Sequence, residues 1–196
     1  MYLAAVLDFL SSVPRGAAVL DAGCGGGDFA IGLADAGFTV FGSDMSPSGI
    51  AHSNALGVGT FVRASVYDEL AVPFARSSFD AIVCVEVIEH LYSPKRFSER
   101  AMEALVPGGI IVITTPYWGY VRNVVMALTN RMDRALTPLW EGGHIKHFSR
   151  ATLTTLMETA GFETVGFKGC GDGLRAVVPT FYNGMAMAFR KPQSVA

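Results

Sequence analysis

Residues 19–30 read VLDAGCGGGDFA: an apolar run and an aspartate, then four glycines in five residues around one cysteine. Glycine loses more conformational freedom on folding than any other residue, so such density needs a tight turn to justify it. Gly23, Gly25 and Gly27 leave a β-like run and enter a helical pattern at about 28–36. A nucleotide lies over a strand–turn–helix corner of this kind. The spacing is G-x-G-x-G, and no Lys-Ser/Thr pair follows it. That excludes a phosphate-cradling P-loop.

The rest of the chain repeats the strand–helix theme. AAVLDAG, FTVFGSD, GTFVRAS, FDAIVCVE and GGIIVITTP are compact, rich in β-branched or aromatic residues, and bounded by Gly, Pro, Ser or Asp. Their near-continuous apolar character suits parallel strands covered on both faces. Helices are expected over about 46–56 and 94–105, the latter starting at Ser93-Pro94 and stopping at LVPGG. This alternation predicts one α/β domain, a doubly wound Rossmann-like sheet, over all 196 residues.

After Pro116 the alternation breaks. Val121, Val124, Val125 and Leu128 fall at i, i+3, i+4 and i+7 and mark an apolar helical face within residues 117–148. Its place just after a strand's C-terminal end suits a cover over a substrate, with ordinary packing as the alternative. The pattern resumes with a helix at about 149–160, a strand at 162–169 and a last strand near 184–190.

Composition narrows the class of function. Hydrophobic residues make up 51% and charged ones 16%, which describes a globular chain. No apolar run reaches the roughly 18 residues of a membrane span. The start MYLAAVLDFLSSVPRG has no basic lead and carries Asp8 inside its apolar stretch, which argues against a signal peptide. Cys24, Cys84 and Cys170 are odd in number, which fits a reduced, cytoplasmic setting better than a disulfide framework. Residues 1–116 carry 6 Lys+Arg against 12 Asp+Glu, whereas residues 117–150 carry 5 against 2. An acidic body weighs against a nucleic-acid partner. The basic segment suits a different ligand or a plain solvated surface.

Asp44 closes the second strand, 17 residues after Gly27, where a carboxylate can accept from both ribose hydroxyls. With VLDAGCGGGDFA, the GSD ending at Asp44, SSFDAIVCVEVIEHL and ALVPGGIIVITTP in this order, the chain resembles the class I S-adenosylmethionine-dependent methyltransferases over nearly its whole length. EVIEHL and the late GGHIKHFSRATLTTLMETAGF bring it nearest to the ubiquinone-biosynthesis O-methyltransferase-like group. The resemblance implies a seven-stranded, mostly parallel sheet with an antiparallel last strand and a helical insertion after the fifth. It implies S-adenosylmethionine as cofactor, with Asp21, Gly23, Cys24 and Gly25 around its methionine and ribose parts. Asp44 and Met45 would hold the ribose and flank the adenine, beside which Ser65 and Val66 would lie. Glu86 would sit near the methionine ammonium. Cys24 reads as a small residue in a crowded turn.

Because the sulfonium carries the chemistry, the protein must align a nucleophile, and a hydroxyl also needs a base or a metal. Two clusters offer one. In EVIEHL, Glu86, Glu89 and His90 have i, i+3, i+4 spacing, which one helical turn would place on a single face. GGHIKHFS supplies His144 and His147, the candidate catalytic bases, ahead of Ser149 as a helix N-cap. The E-x-x-E-H pattern is similar to the metal-binding motif of ubiquinone-pathway and small-RNA 2′-O-methyltransferases, so Glu86, Glu89, His90 and His147 form a candidate metal set. A bracing role around the cofactor loop is the other reading of Glu89 and His90. The expected activity is methyl transfer to a small-molecule acceptor, with oxygen the favoured atom. The rivals are a metal-assisted RNA ribose methyltransferase and a non-catalytic cofactor-binding module.

Overall fold

The computed structural model describes residues 1–136, 139–171 and 182–193. The strands are β1 (Ala18–Ala22), β2 (Thr39–Asp44), β3 (Gly59–Arg63), β4 (Phe79–Val85), β5 (Leu105–Pro116), β6 (Glu163–Cys170) and β7 (Gly184–Arg190). They form one seven-stranded sheet in the order β3-β2-β1-β4-β5-β7-β6. β1 to β5 are parallel, and β7 runs antiparallel between β5 and β6. The sheet matches the doubly wound architecture expected from the alternating pattern.

The helices are α1 (Leu3–Phe9), α2 (Asp28–Asp35), α3 (Pro47–Ala55), α4 (Pro94–Ala104), α5 (Tyr120–Leu128), α6 (Met132–Leu136) and α7 (Arg150–Thr159). Local chemistry starts several of them. Ser46, Ser93 and Ser149 each accept from a backbone amide three residues on, and Pro follows at the first helical position of α3 and α4. Ser149 and Thr152 complete a reciprocal capping box. α1 and α6 have no counterpart among the expected elements. Both are too short to display a helical period.

Period-two alternation along each strand divides the core between the sheet's faces. Leu20, Ile82, Ile111 and Ile113 meet Phe97 of α4 and Leu153 and Met157 of α7 on one face. Val19, Val83 and Val112 meet Val6 of α1 and Ala30 and Leu33 of α2 on the other. Complete burial of one such aliphatic side chain is worth about 1.5–3 kcal/mol. LVPGG, expected as a stop, is already part of β5: α4 passes directly into it, and the register with β4 shifts between Phe79 and Ala81.

Residues 117–148 do follow β5, but α5 faces the other way from a core helix. Met126 is its buried residue, while Val124, Val125 and Leu128 are exposed, Leu128 by 82%. The i, i+3, i+4, i+7 pattern correctly marks an apolar stripe. It carries no information about what that stripe meets.

Candidate active site

The strand order reverses between β1 and β4, and the C-terminal ends of β1, β2, β4 and β5 share one edge there. Ligands of open α/β sheets bind at this switch point. The glycine turn lies on it, with Gly23, Gly25 and Gly27 at φ +85°, +52° and +84°, a region L side chains rarely adopt. A Cβ at Gly23 would also stand 2.5 Å from Val87 Cγ2, so this position is closed by packing as well. A Cβ at Gly25 would meet nothing within 4 Å and would project into open space.

Backbone bonds anchor the turn to β2. The amides of Gly23 and Cys24 donate to the Ser43 carbonyl at 2.8 and 3.0 Å. The Gly25 amide donates to Asp44 Oδ2 at 3.0 Å, and the Ser46 amide to Asp44 Oδ1 at 2.7 Å. An ionised carboxylate has about four acceptor sites, so Asp44 keeps capacity for a diol. Ser53 Oγ, on α3, donates to the Gly25 carbonyl at 3.1 Å. The Ala64 amide donates to the Asp44 carbonyl, and Arg63 Nε to the Met45 carbonyl. These bonds bring Met45 and the Ser65-Val66 segment to the same edge.

Asp21 is buried beneath the turn with Oδ2 unpartnered. Burial first, then the Asp44 charge, pushes its carboxyl from 3.8 up to about 7. Burial and the same two carboxylates push the Cys24 thiol up to about 12, so it remains a small neutral side chain. A positively charged ligand suits this acidic pocket. The open space over Gly25, the free capacity of Asp44 and the orphaned oxygen of Asp21 together fit S-adenosylmethionine.

Glu86 follows β4 in the left-handed region at φ +54°. Its amide donates to the Thr114 carbonyl and hydroxyl at 3.1 and 3.2 Å. The helical turn expected over Glu86, Glu89 and His90 does not form. Instead, a short 3-10 turn covers Ile88–His90 and turns Glu89 inward. Thr115 Oγ1 donates to Glu89 Oε2 at 3.0 Å, whereas Oε1 is buried without a hydrogen-bond partner. His144 Nε2 stands 3.9 Å from that oxygen.

The amides of Ile145 and Lys146 donate to the Glu89 carbonyl, so residues 144–146 are tied to the 3-10 turn. His90 Nδ1 lies 2.9 Å from the Gly142 carbonyl and 3.2 Å from that of Gly143. Both neighbours are acceptors, so Nδ1 is the donor of these contacts. One ligand atom each from Glu89, His90 and His144 fall within 4.8 Å of one another. Among the described residues, Glu86 and His147 lie outside this group, and His144 takes the place expected of His147.

His147 packs on Trp118, with ring centroids 4.3 Å apart. Burial and Arg122 lower its imidazole, while burial and then His90, His147 and Arg122 lower that of His144. Burial raises Glu89 to about 7, and burial with the Glu89 charge raises Glu86 to about 7. Thr114, Thr115 and Ser53 complete the site unannounced by any motif. The Thr-Thr pair at the end of a parallel strand was the available signal for two of them.

A family model described as a methyltransferase domain matches residues 2–166. A probable S-adenosylmethionine-dependent methyltransferase of Mycolicibacterium smegmatis is 36% identical over 157 residues, covering 78% of this chain and 56% of that protein. The ubiquinone biosynthesis O-methyltransferase of Dinoroseobacter shibae is 32% identical over 161 residues, covering 79% and 63% respectively. The chain therefore spans about three fifths of these relatives' length. The magnesium protoporphyrin IX methyltransferase of Synechocystis PCC 6803, solved with bound SAH, shares the fold with a TM-score of 0.71 at 18% identity, covering 96% of this chain and 81% of that one. Among the described residues no helix is long and apolar enough to cross a membrane. The matched domain, the glycine turn and the acid at the end of β2 agree: the chain belongs to the class I S-adenosylmethionine-dependent methyltransferases.

Proposed function

We propose that this chain transfers a methyl group from S-adenosylmethionine to an oxygen of a small acceptor held beside residues 117–148. The carrying observation is the cluster of Glu89, His90 and His144 at the sheet edge that also presents the glycine turn. The cofactor supplies an activated methyl on a sulfonium. Asp44 grips the ribose, and the acidic floor of Asp21 and Glu86 suits a cation. An acceptor hydroxyl must lose its proton to attack. His144, held below its ordinary range, is neutral near pH 7 and able to take that proton at Nε2. His147 is the second such group. The ubiquinone-pathway relatives support oxygen as the target.

The same cluster favours a second, metal-assisted form of this reaction. Glu89 Oε1, His90 Nε2 and His144 are donors of the kind a divalent cation takes, and the carbonyls behind His90 Nδ1 orient that ring for ligation. A cation there would acidify the acceptor hydroxyl.

The test incubates the chain with methyl-labelled S-adenosylmethionine and a panel of catechols, phenols, carboxylates, amines and short RNA. Label on catechols or phenols is expected. Label confined to amines overturns the oxygen assignment, label confined to RNA overturns the small acceptor, and absence of S-adenosylhomocysteine with every acceptor leaves a binding module.

A further inference from the structure

Helix α3 presents a seat for the glycine turn, built from its smallest side chains. Gly49, in its first turn, has no positive φ, yet a Cβ there would stand 2.8 Å from the Gly25 carbonyl oxygen. Close approach, and not backbone conformation, calls for glycine at that position. One turn further on, Ser53 is fully buried. Its Oγ donates to the Gly25 carbonyl at 3.1 Å and shares that proton with the Gly49 carbonyl at 3.0 Å. The Gly49 contact is the ordinary one for a serine inside a helix. The Gly25 contact leaves the helix and spans 28 positions of the chain. A Cβ at Gly27 would stand 3.0 Å from Ser53 Oγ, so the same side chain also backs the end of the turn.

Gly25 is thus held from both sides. Its amide donates to Asp44 Oδ2 at 3.0 Å, and its carbonyl accepts from Ser53. Between them the residue sits at φ +52°, with open space where a Cβ would be. Asn54, the next residue of α3, has a different partner. Its Nδ2 donates to the Phe61 carbonyl at 3.0 Å, and its Oδ1 accepts from the Phe61 amide at 3.3 Å. Asn54 ties α3 to β3 at the sheet's edge, whereas Ser53 ties the turn to α3.

We propose that Ser53 is a positioning residue for S-adenosylmethionine, pinning the Gly25 carbonyl so that the bare backbone of the turn meets the cofactor in one conformation. This rests on the cofactor site read above and extends it to α3. Glycine has more accessible conformations than any other residue, and a loop that must be ordered on contact loses affinity. The Ser53 hydroxyl removes that freedom beforehand. Asp44 does so from the other side, and its Oδ1 accepts from the Ser46 amide at the start of α3 at 2.7 Å. One helix therefore sets the separation between the glycine turn and the acid that ends β2.

The experiment compares S-adenosylmethionine affinity by calorimetry for the full chain, Ser53→Ala, Gly49→Ala and Asn54→Ala. Ser53→Ala keeps the Cβ and favours the helix, but cannot donate. It is expected to bind about tenfold more weakly, with a melting temperature lowered by no more than about 4 °C. Hydrogen exchange should show its Gly25 amide exchanging at least about tenfold faster, with the β4 and β5 amides as in the parent. Gly49→Ala leaves the hydroxyl but presses on the Gly25 carbonyl, and should lose at least as much affinity. Asn54→Ala should lower the melting temperature yet bind within about twofold of the parent. Parent-like binding by Ser53→Ala, or an equal affinity loss in Asn54→Ala, overturns the assignment, the latter because docking of α3 alone would then explain it. Failure of the parent to bind S-adenosylmethionine overturns the cofactor site itself, which is a separate result.

Discussion

The Gly25 amide donates to Asp44 Oδ2 at 3.0 Å, and that bond joins the glycine turn after β1 to the acid ending β2. The two cofactor motifs are therefore one mechanical unit. Removing the carboxylate leaves the amides of Gly25 and Ser46 without their acceptor. Asp44→Ala should weaken S-adenosylmethionine binding at least about tenfold and lower stability by about 1–3 kcal/mol. Calorimetry and thermal melting measure the two effects separately.

The glycines of the turn divide into two kinds. Gly23→Ala combines positive φ with a Cβ driven into Val87, so it should lose stability and binding together, by about 2 kcal/mol or more in stability. Gly25→Ala adds a methyl to open space. It should cost only about 1–2 kcal/mol of backbone strain yet lose most cofactor affinity. Melting curves beside calorimetry decide between these patterns.

Asp21 makes stability depend on pH with a definite sign. Its carboxyl is held near 7 in the folded chain, through burial and Asp44, against 3.8 ordinarily. Well below pH 4 both states are protonated and the group costs nothing. As pH rises toward 7 the unfolded chain ionises and the folded one does not, so stability is lost, by about 4 kcal/mol once the folded group also ionises. Asp21→Asn should therefore melt above the parent at pH 8, with the difference closing at pH 4.

His144 is read as the proton acceptor at the acceptor edge. His144→Ala should lower kcat by about 10²–10⁴-fold with S-adenosylmethionine affinity unchanged. If a divalent cation assists, EDTA should abolish turnover, manganese should restore it, and Glu89→Gln should prevent that restoration. Turnover indifferent to EDTA removes the metal and leaves the imidazole as base.

Helix α5 offers a control in which apolar pattern and burial part company. Leu128→Ser, on the exposed stripe, should change stability by less than about 0.5 kcal/mol, whereas Met126→Ala, at the docked face, should cost about 2 kcal/mol or more. Chemical denaturation of both variants tests which face holds the helix down.

The sheet and the cofactor motifs were legible before any coordinates. A parallel strand covered on both faces must be an apolar run, and a turn with positive φ must be glycine, so β1 to β5, the turn and Asp44 all carry local signatures. The acceptor half was less so. Glu89 and His90 stood out as a motif, but their partner was ambiguous between His144 and His147. Only the 3-10 turn and the bonds from residues 145 and 146 to the Glu89 carbonyl decide that His144 is the near one.

Sequence alone determined the fold class and the methyl donor, because those depend on backbone conformation and strand period, which are local properties. The tertiary structure decided what depends on distant chain segments meeting. It turned Glu89 inward beneath Thr115, left the α5 stripe facing outward, and brought Tyr2 over Gly184. Tyr2 and Gly184 lie 182 positions apart, and no local pattern records that one lacks a side chain because the other needs the space.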